Sequence, residues 1–121
     1  MRFLSMVKSA ENSGPPPQEL MDAMGKLMED ATKAGVLIEA GGLVQSAAGA
    51  RVRLSAGKVS VLDGPFTEAK ELVGGYAILE VKSKAQAIEE AVRFIELHRQ
   101  HWPGWEGESE IRQIFDPADI G

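Results

Sequence analysis

The chain has 121 residues, of which 44% are hydrophobic and 26% charged, with a formal net charge of −5 and no cysteine. That length suits a single domain spanning 1–121 with one core, and the missing thiols exclude a disulfide framework, thiol catalysis and a thiolate metal site while suiting a reducing, cytoplasmic setting. The acidic balance repels nucleic acid and anionic lipid, so neither is expected as a partner.

The apolar start Phe3-Leu4-Ser5-Met6-Val7 is too short for a signal-peptide core, and no run approaches the ~20 apolar residues of a membrane span. Residues 2 to 8 carry apolar side chains at both odd and even positions, which marks a strand covered on both faces and therefore central in a sheet. Ser13-Gly14-Pro15-Pro16-Pro17 ends it. Pro17 and Glu19 suit a helix start, and Leu20, Met24, Leu27, Met28 and Ala31 form a stripe that closes on Lys33 with Gly35 as a left-handed cap. Gly25 inside this helix costs about 1 kcal/mol relative to Ala and suggests a close backbone contact.

Val36 to Val44 reads as a strand that bends or bulges at Gly41-Gly42, followed by a small-residue loop at 46 to 50. Next comes a hairpin, with Val52 and Leu54 alternating with Arg51 and Arg53, a turn at Ala56-Gly57, and Val59 and Val61 on the returning strand. After the segment Asp63 to Gly75, the stretch Tyr76 to Val81 is a second central strand. Ser83 and Gln86 make a capping box for a second helix with Ala87, Ile88, Ala91, Val92, Phe94 and Ile95 as its buried stripe. Trp102-Pro103-Gly104 terminates it. Ile111, Gln113 and Phe115 alternate with Glu110, Arg112 and Ile114 in a last strand, and the tail Asp116 to Gly121 is expected to be loose.

The order specifies an α+β, ferredoxin-like βαβ(ββ)βαβ sandwich, with two helices on one face of a mostly antiparallel sheet and a hairpin inserted between its halves. The other face is left bare. Phe3 and Val7 point opposite to Leu4 and Met6, and Tyr76 and Ile78 opposite to Ala77, Leu79 and Val81, so each face carries large side chains. An exposed patch of several hundred Å² predicts a homodimer through that face, a dimeric α+β barrel. The rival is a hairpin folded over the same face within one chain.

The stretch Asp63-Gly64-Pro65-Phe66-Thr67-Glu68-Ala69-Lys70-Glu71 with Gly74-Gly75-Tyr76 resembles the signature of the YCII-related or DGPF-domain family. The resemblance extends from the Arg-Phe-Leu-Ser-Met-Val-Lys start through Lys33-Ala34-Gly35-Val36-Leu37 to Glu110-Ile111-Arg112-Gln113-Ile114-Phe115. It implies a ferredoxin-like protomer and a dimer closed through the sheets. The function of the family is largely unassigned; some members are labelled as transcription-initiation proteins, and a shorter branch carries a His and Asp pair proposed as an acid/base site. This chain has no histidine before position 98.

Asp63, Glu68 and Lys70 form the catalytic candidate set, a carboxylate base and a cation on a loop that Pro65 stiffens and Phe66 pins. A rigid, solvated connection is the plainer reading of the same residues. Arg53, Phe66, Glu71, Tyr76, His98 and Trp102 are the ligand-binding candidates. His98 and His101 are three apart near a helix end but lack an evident third ligand, so no metal and no cofactor is expected. Trp102 and Trp105 can line a pocket or cap a core, while Arg51, Arg53 and Lys58 make a basic hairpin face without interleaved aromatics. No phosphate loop, Ser/His/Asp set or zinc-protease motif occurs. Three functions fit these residues: a dimeric small-molecule binding or regulatory module, a cofactor-independent lyase or isomerase acting on a small organic acid, and a protein-interaction domain linked to transcription initiation.

Overall fold

The computed structural model describes the backbone of residues 1–120 and the side chains of 1–118; Gly121 lies outside the described residues. Strand β1 (Arg2–Ser9) leads through a single 3-10 turn to helix α1 (Gln18–Lys33), β2 (Leu37–Gly42), the hairpin β3 (Ala50–Ser55) and β4 (Lys58–Asp63), then β5 (Leu72–Glu80), helix α2 (Lys84–His101), β6 (Gly107–Gln113) and a short α3 (Pro117–Ile120). The sheet has the order β2-β5-β1-β6, with every neighbouring pair antiparallel, while β3 and β4 form a separate two-stranded sheet. This is the ferredoxin-like α+β arrangement. Both strands with apolar residues on two faces, β1 and β5, are central in it, as their composition requires.

Local signals account for the helix ends. Gly35 lies at φ +76°, and the N–H groups of Gly35 and Val36 donate to Thr32 and Ala31 carbonyls at 3.0 and 2.9 Å, closing α1 with the cap its sequence announces. At the start of α2, Ser83 Oγ accepts the Gln86 N–H at 3.1 Å, and Gln86 Oε1 accepts the Lys82 N–H at 2.9 Å.

The core is small. Phe3, Leu79, Val81 and Ala87 form its centre, with Leu37, Ala77 and Ile111 packed around them. Phe3, Leu79 and Val81 therefore face the helices, and Leu4, Met6, Tyr76 and Ile78, paired across the β1–β5 register, occupy the opposite face.

Several sequence expectations are corrected. Gly25 has no heavy atom within 4 Å of where a Cβ would stand, so it marks no close contact. Gly25→Ala is accordingly expected to raise the unfolding free energy by about 1 kcal/mol, read from the midpoint of urea unfolding. Ile88 and Val92 stay 44% and 53% exposed, while Ala87 and Ala91 of the expected stripe are buried together with His98. The irregularity in β2 falls between Leu37 and Glu39, ahead of the glycine pair. The last strand stops at Gln113, leaving Phe115 exposed, and the tail forms α3, begun by Asp116 Oδ1 accepting the Ala118 N–H at 2.9 Å. The hairpin does not fold over the bare sheet face: Val52, Leu54, Val59 and Val61 remain between 67% and 72% exposed.

Candidate functional site

The apolar stripe of α1 carries long, flexible side chains, Met24, Leu27 and Met28, yet only Leu20 is fully buried. The sheet surface opposite offers small residues, among them Ser5, Gly42, Gly75 and Ala77, and Gly42 and Gly75 stand directly paired across β2 and β5. Long side chains on the helix spread over a stretch of floor paved with these small residues, and the space between them is not filled. A cavity of about 590 Å³ results, within the size range of small-molecule pockets. Methionines suit such a wall because they adapt to differently shaped contents.

One end of the cavity is aromatic. The His98 ring, only 5% exposed, lies 4.9 Å from Phe94, 4.4 Å from Trp105 and 6.4 Å from Trp102, with the two tryptophan rings stacked at 6.1 Å. Its Nδ1 is 2.9 Å from the Phe94 carbonyl oxygen. A carbonyl only accepts, so in the neutral ring the proton sits on Nδ1 and Nε2 carries the free lone pair. Burial pushes the His98 pKa down from 6.5, against a smaller upward pull from that carbonyl.

At the other end, the carboxylate of Glu11 accepts both the N–H and the hydroxyl of Ser46 at 2.5 Å each, and Ser46 Oγ in turn accepts the Phe66 N–H at 3.1 Å. The Gly64 N–H donates to the Gly49 carbonyl at 2.9 Å, and Gly64–Pro65 is a cis peptide. A Cβ on Gly64 would stand 1.6 Å from the Ser46 carbonyl oxygen. The Asp63 to Phe66 turn thus clasps the hairpin base to the loop edging the cavity. Arg51 covers the Phe66 ring at 3.8 Å and pairs with Glu68.

Of the residues singled out from sequence, His98, Trp102 and Tyr76 border the cavity. Tyr76 does so from the central strand β5, with its side chain on the face away from the helices, where its hydroxyl donates to Glu39 Oε2 at 3.2 Å and the Glu39 charge raises its pKa. Asp63, Glu68, Lys70, Glu71 and Arg53 are all exposed and stand outside the cavity, with Phe66 partly buried in the clasp. The Glu68 carboxyl is held below the usual range first by its own backbone N–H and then by Arg51. His101 turns away from His98, its Nδ1 3.9 Å from Glu19 on α1. Among the described residues no group of three or more His, Asp or Glu is placed to hold a metal ion.

Glu11 and Ser46 escaped the sequence reading because neither sits in a motif; only the burial of Ser46 reveals the link. The cavity had a fainter signal, two glycine pairs in the strands facing a methionine-rich helix stripe.

The sequence model of the YCII-related domain family matches residues 1–96. An uncharacterized protein of Rhizobium meliloti (strain 1021) is 32% identical over 72 residues, which cover 60% of this chain and 58% of that relative. The match therefore spans little more than half the length of the relative.

Proposed function

The chain belongs to the YCII-related domain family, and from that premise we propose that it is a dimeric small-molecule binding module whose ligand lodges between α1 and the sheet. The cavity of about 590 Å³ is the observation that carries this reading. A void of that size with an apolar wall forfeits dispersion contacts and leaves Met24, Leu27 and Met28 only partly covered, a cost that a bound apolar molecule offsets.

Dimerisation is supported by surface area. Folded monomers of 13.0 kDa expose about 6,300 Å², whereas this chain exposes 8352 Å². The excess, about 2,000 Å², exceeds what one partner contributes to a standard interface. The exposed Val52, Leu54, Val59 and Val61 make one side of the hairpin aliphatic, and the Leu4, Met6, Tyr76 and Ile78 face of the sheet offers an apolar counterpart on a second copy. A two-fold pair satisfies both surfaces at once.

The binding reading is tested by thermal and urea unfolding with propylbenzene as probe. At about 100 times its Kd, the probe should stabilise the wild type by about 2.7 kcal/mol. In Ala31→Leu, which projects a larger side chain from α1 into the cavity at little helical cost, stability should rise and the response to the probe should vanish. An equal response in both proteins would place the probe elsewhere and contradict the reading.

A further inference from the structure

The cavity has a definite polar chemistry. Its lining includes Glu11, Glu90 and His98 but no Lys or Arg. Both oxygens of Glu11 accept from the neutral N–H and hydroxyl of Ser46, and Glu90 Oε1 accepts from Arg93 at 2.7 Å, so both carboxylates already have hydrogen-bond partners and only Glu90 has a counter-charge. An anionic ligand would meet two carboxylates and no cation among the described lining residues, a repulsion that the largely apolar wall strengthens. A cationic ligand would find both carboxylates engaged.

His98 is different. Nδ1 is committed to the Phe94 carbonyl, and Nε2 makes no hydrogen bond among the described residues. Yet among the described residues no fully enclosed side-chain nitrogen or oxygen lacks a partner, so the Nε2 of this otherwise buried ring opens onto free space, and His98 lines the cavity. Phe94, Trp102 and Trp105 crowd the same ring within 6.4 Å and supply aromatic faces on which a planar ligand can stack.

We infer that the cavity selects an uncharged aromatic compound bearing a hydroxyl or ring N–H, and that His98 Nε2 receives that proton as a hydrogen-bond acceptor. The inference rests on the cavity being a ligand site and adds the class of ligand. It also moves the expected substrate chemistry away from small organic acids, which lack a counter-ion here. The depressed pKa of the buried imidazole agrees with this role, because it keeps Nε2 unprotonated at neutral pH.

The test compares 4-propylphenol, propylbenzene and 4-propylbenzoate by calorimetry at pH 7.5, a value chosen at roughly one unit above the ordinary imidazole pKa. In the wild type the phenol should bind about tenfold tighter than propylbenzene, the worth of one hydrogen bond to an otherwise unpaired group, and the benzoate weakest. In His98→Phe the gap between phenol and propylbenzene should close, with retained propylbenzene binding proving the fold intact. Independently of any variant, the ¹⁵N resonance of His98 Nε2 should shift on adding the phenol and stay put with propylbenzene. Equal affinity for phenol and propylbenzene, tightest binding of the benzoate, or an unmoved Nε2 resonance overturns the role of His98 while leaving the cavity as a ligand site. Failure of all three probes to bind overturns both.

Discussion

Gly64→Ala is expected to lower the unfolding free energy by about 3 kcal/mol or more, because its Cβ would fall 1.6 Å from the Ser46 carbonyl oxygen. The obstacle is backbone, which cannot swing aside as a side-chain tip can. Moving it would pull Ser46 away from Glu11 and Phe66 and leave a partly buried carboxylate short of two donors. Gly42→Ala makes a fair control, since no heavy atom lies within 4 Å of a Cβ at that position; it should stay within about 0.5 kcal/mol of wild type. Urea unfolding of the two variants reads the difference. A Gly64→Ala protein as stable as the control would show that the clasp has room the geometry denies it.

The second large effect concerns assembly. Val52 and Val61 stand directly opposite each other on the aliphatic side of the hairpin. Replacing them together, Val52→Lys with Val61→Glu, keeps a favourable cross-strand pair while removing two apolar side chains per chain from the proposed interface. Burial of one such side chain contributes about 1.5 kcal/mol or more, so a two-fold pair losing four should dissociate about 10,000-fold more readily. Sedimentation equilibrium at micromolar concentration should find the wild type at about twice 13.0 kDa and the double variant near 13.0 kDa. A wild type that sediments as a single chain would remove the dimer and leave the hairpin face for a different protein.

The order of elements was legible because each rests on a local rule: apolar residues at both odd and even positions in β1 and β5, the Gly35 cap, the Ser83 and Gln86 box, the left-handed turn at Ala56-Gly57. The buried stripe of α2 was legible only in part. Ala87 and Ala91 are buried as their place in the repeat implies, but the larger, branched Ile88 and Val92 beside them are left outside. Close packing selects by size as well as by polarity.

The site was legible only in fragments. His98 and Trp102 stood out by residue type. The loop carboxylates Asp63 and Glu68 attracted notice for their charge, yet the same segment holds the hairpin base through Gly64 and Phe66 and leaves those carboxylates at the surface. What a sequence does not display is distance between elements. The cavity exists because α1 stands off a glycine-paved part of the sheet, a property of two segments separated along the chain.

A crystal structure under xenon pressure tests the cavity most directly, since xenon enters dry apolar voids without needing the right chemistry. Xenon density between Leu20 and Leu27 of α1 and the Gly42 and Gly75 floor is the expected result. Helix α1 seated flush on the sheet, with no xenon beneath it, would contradict the account at its foundation.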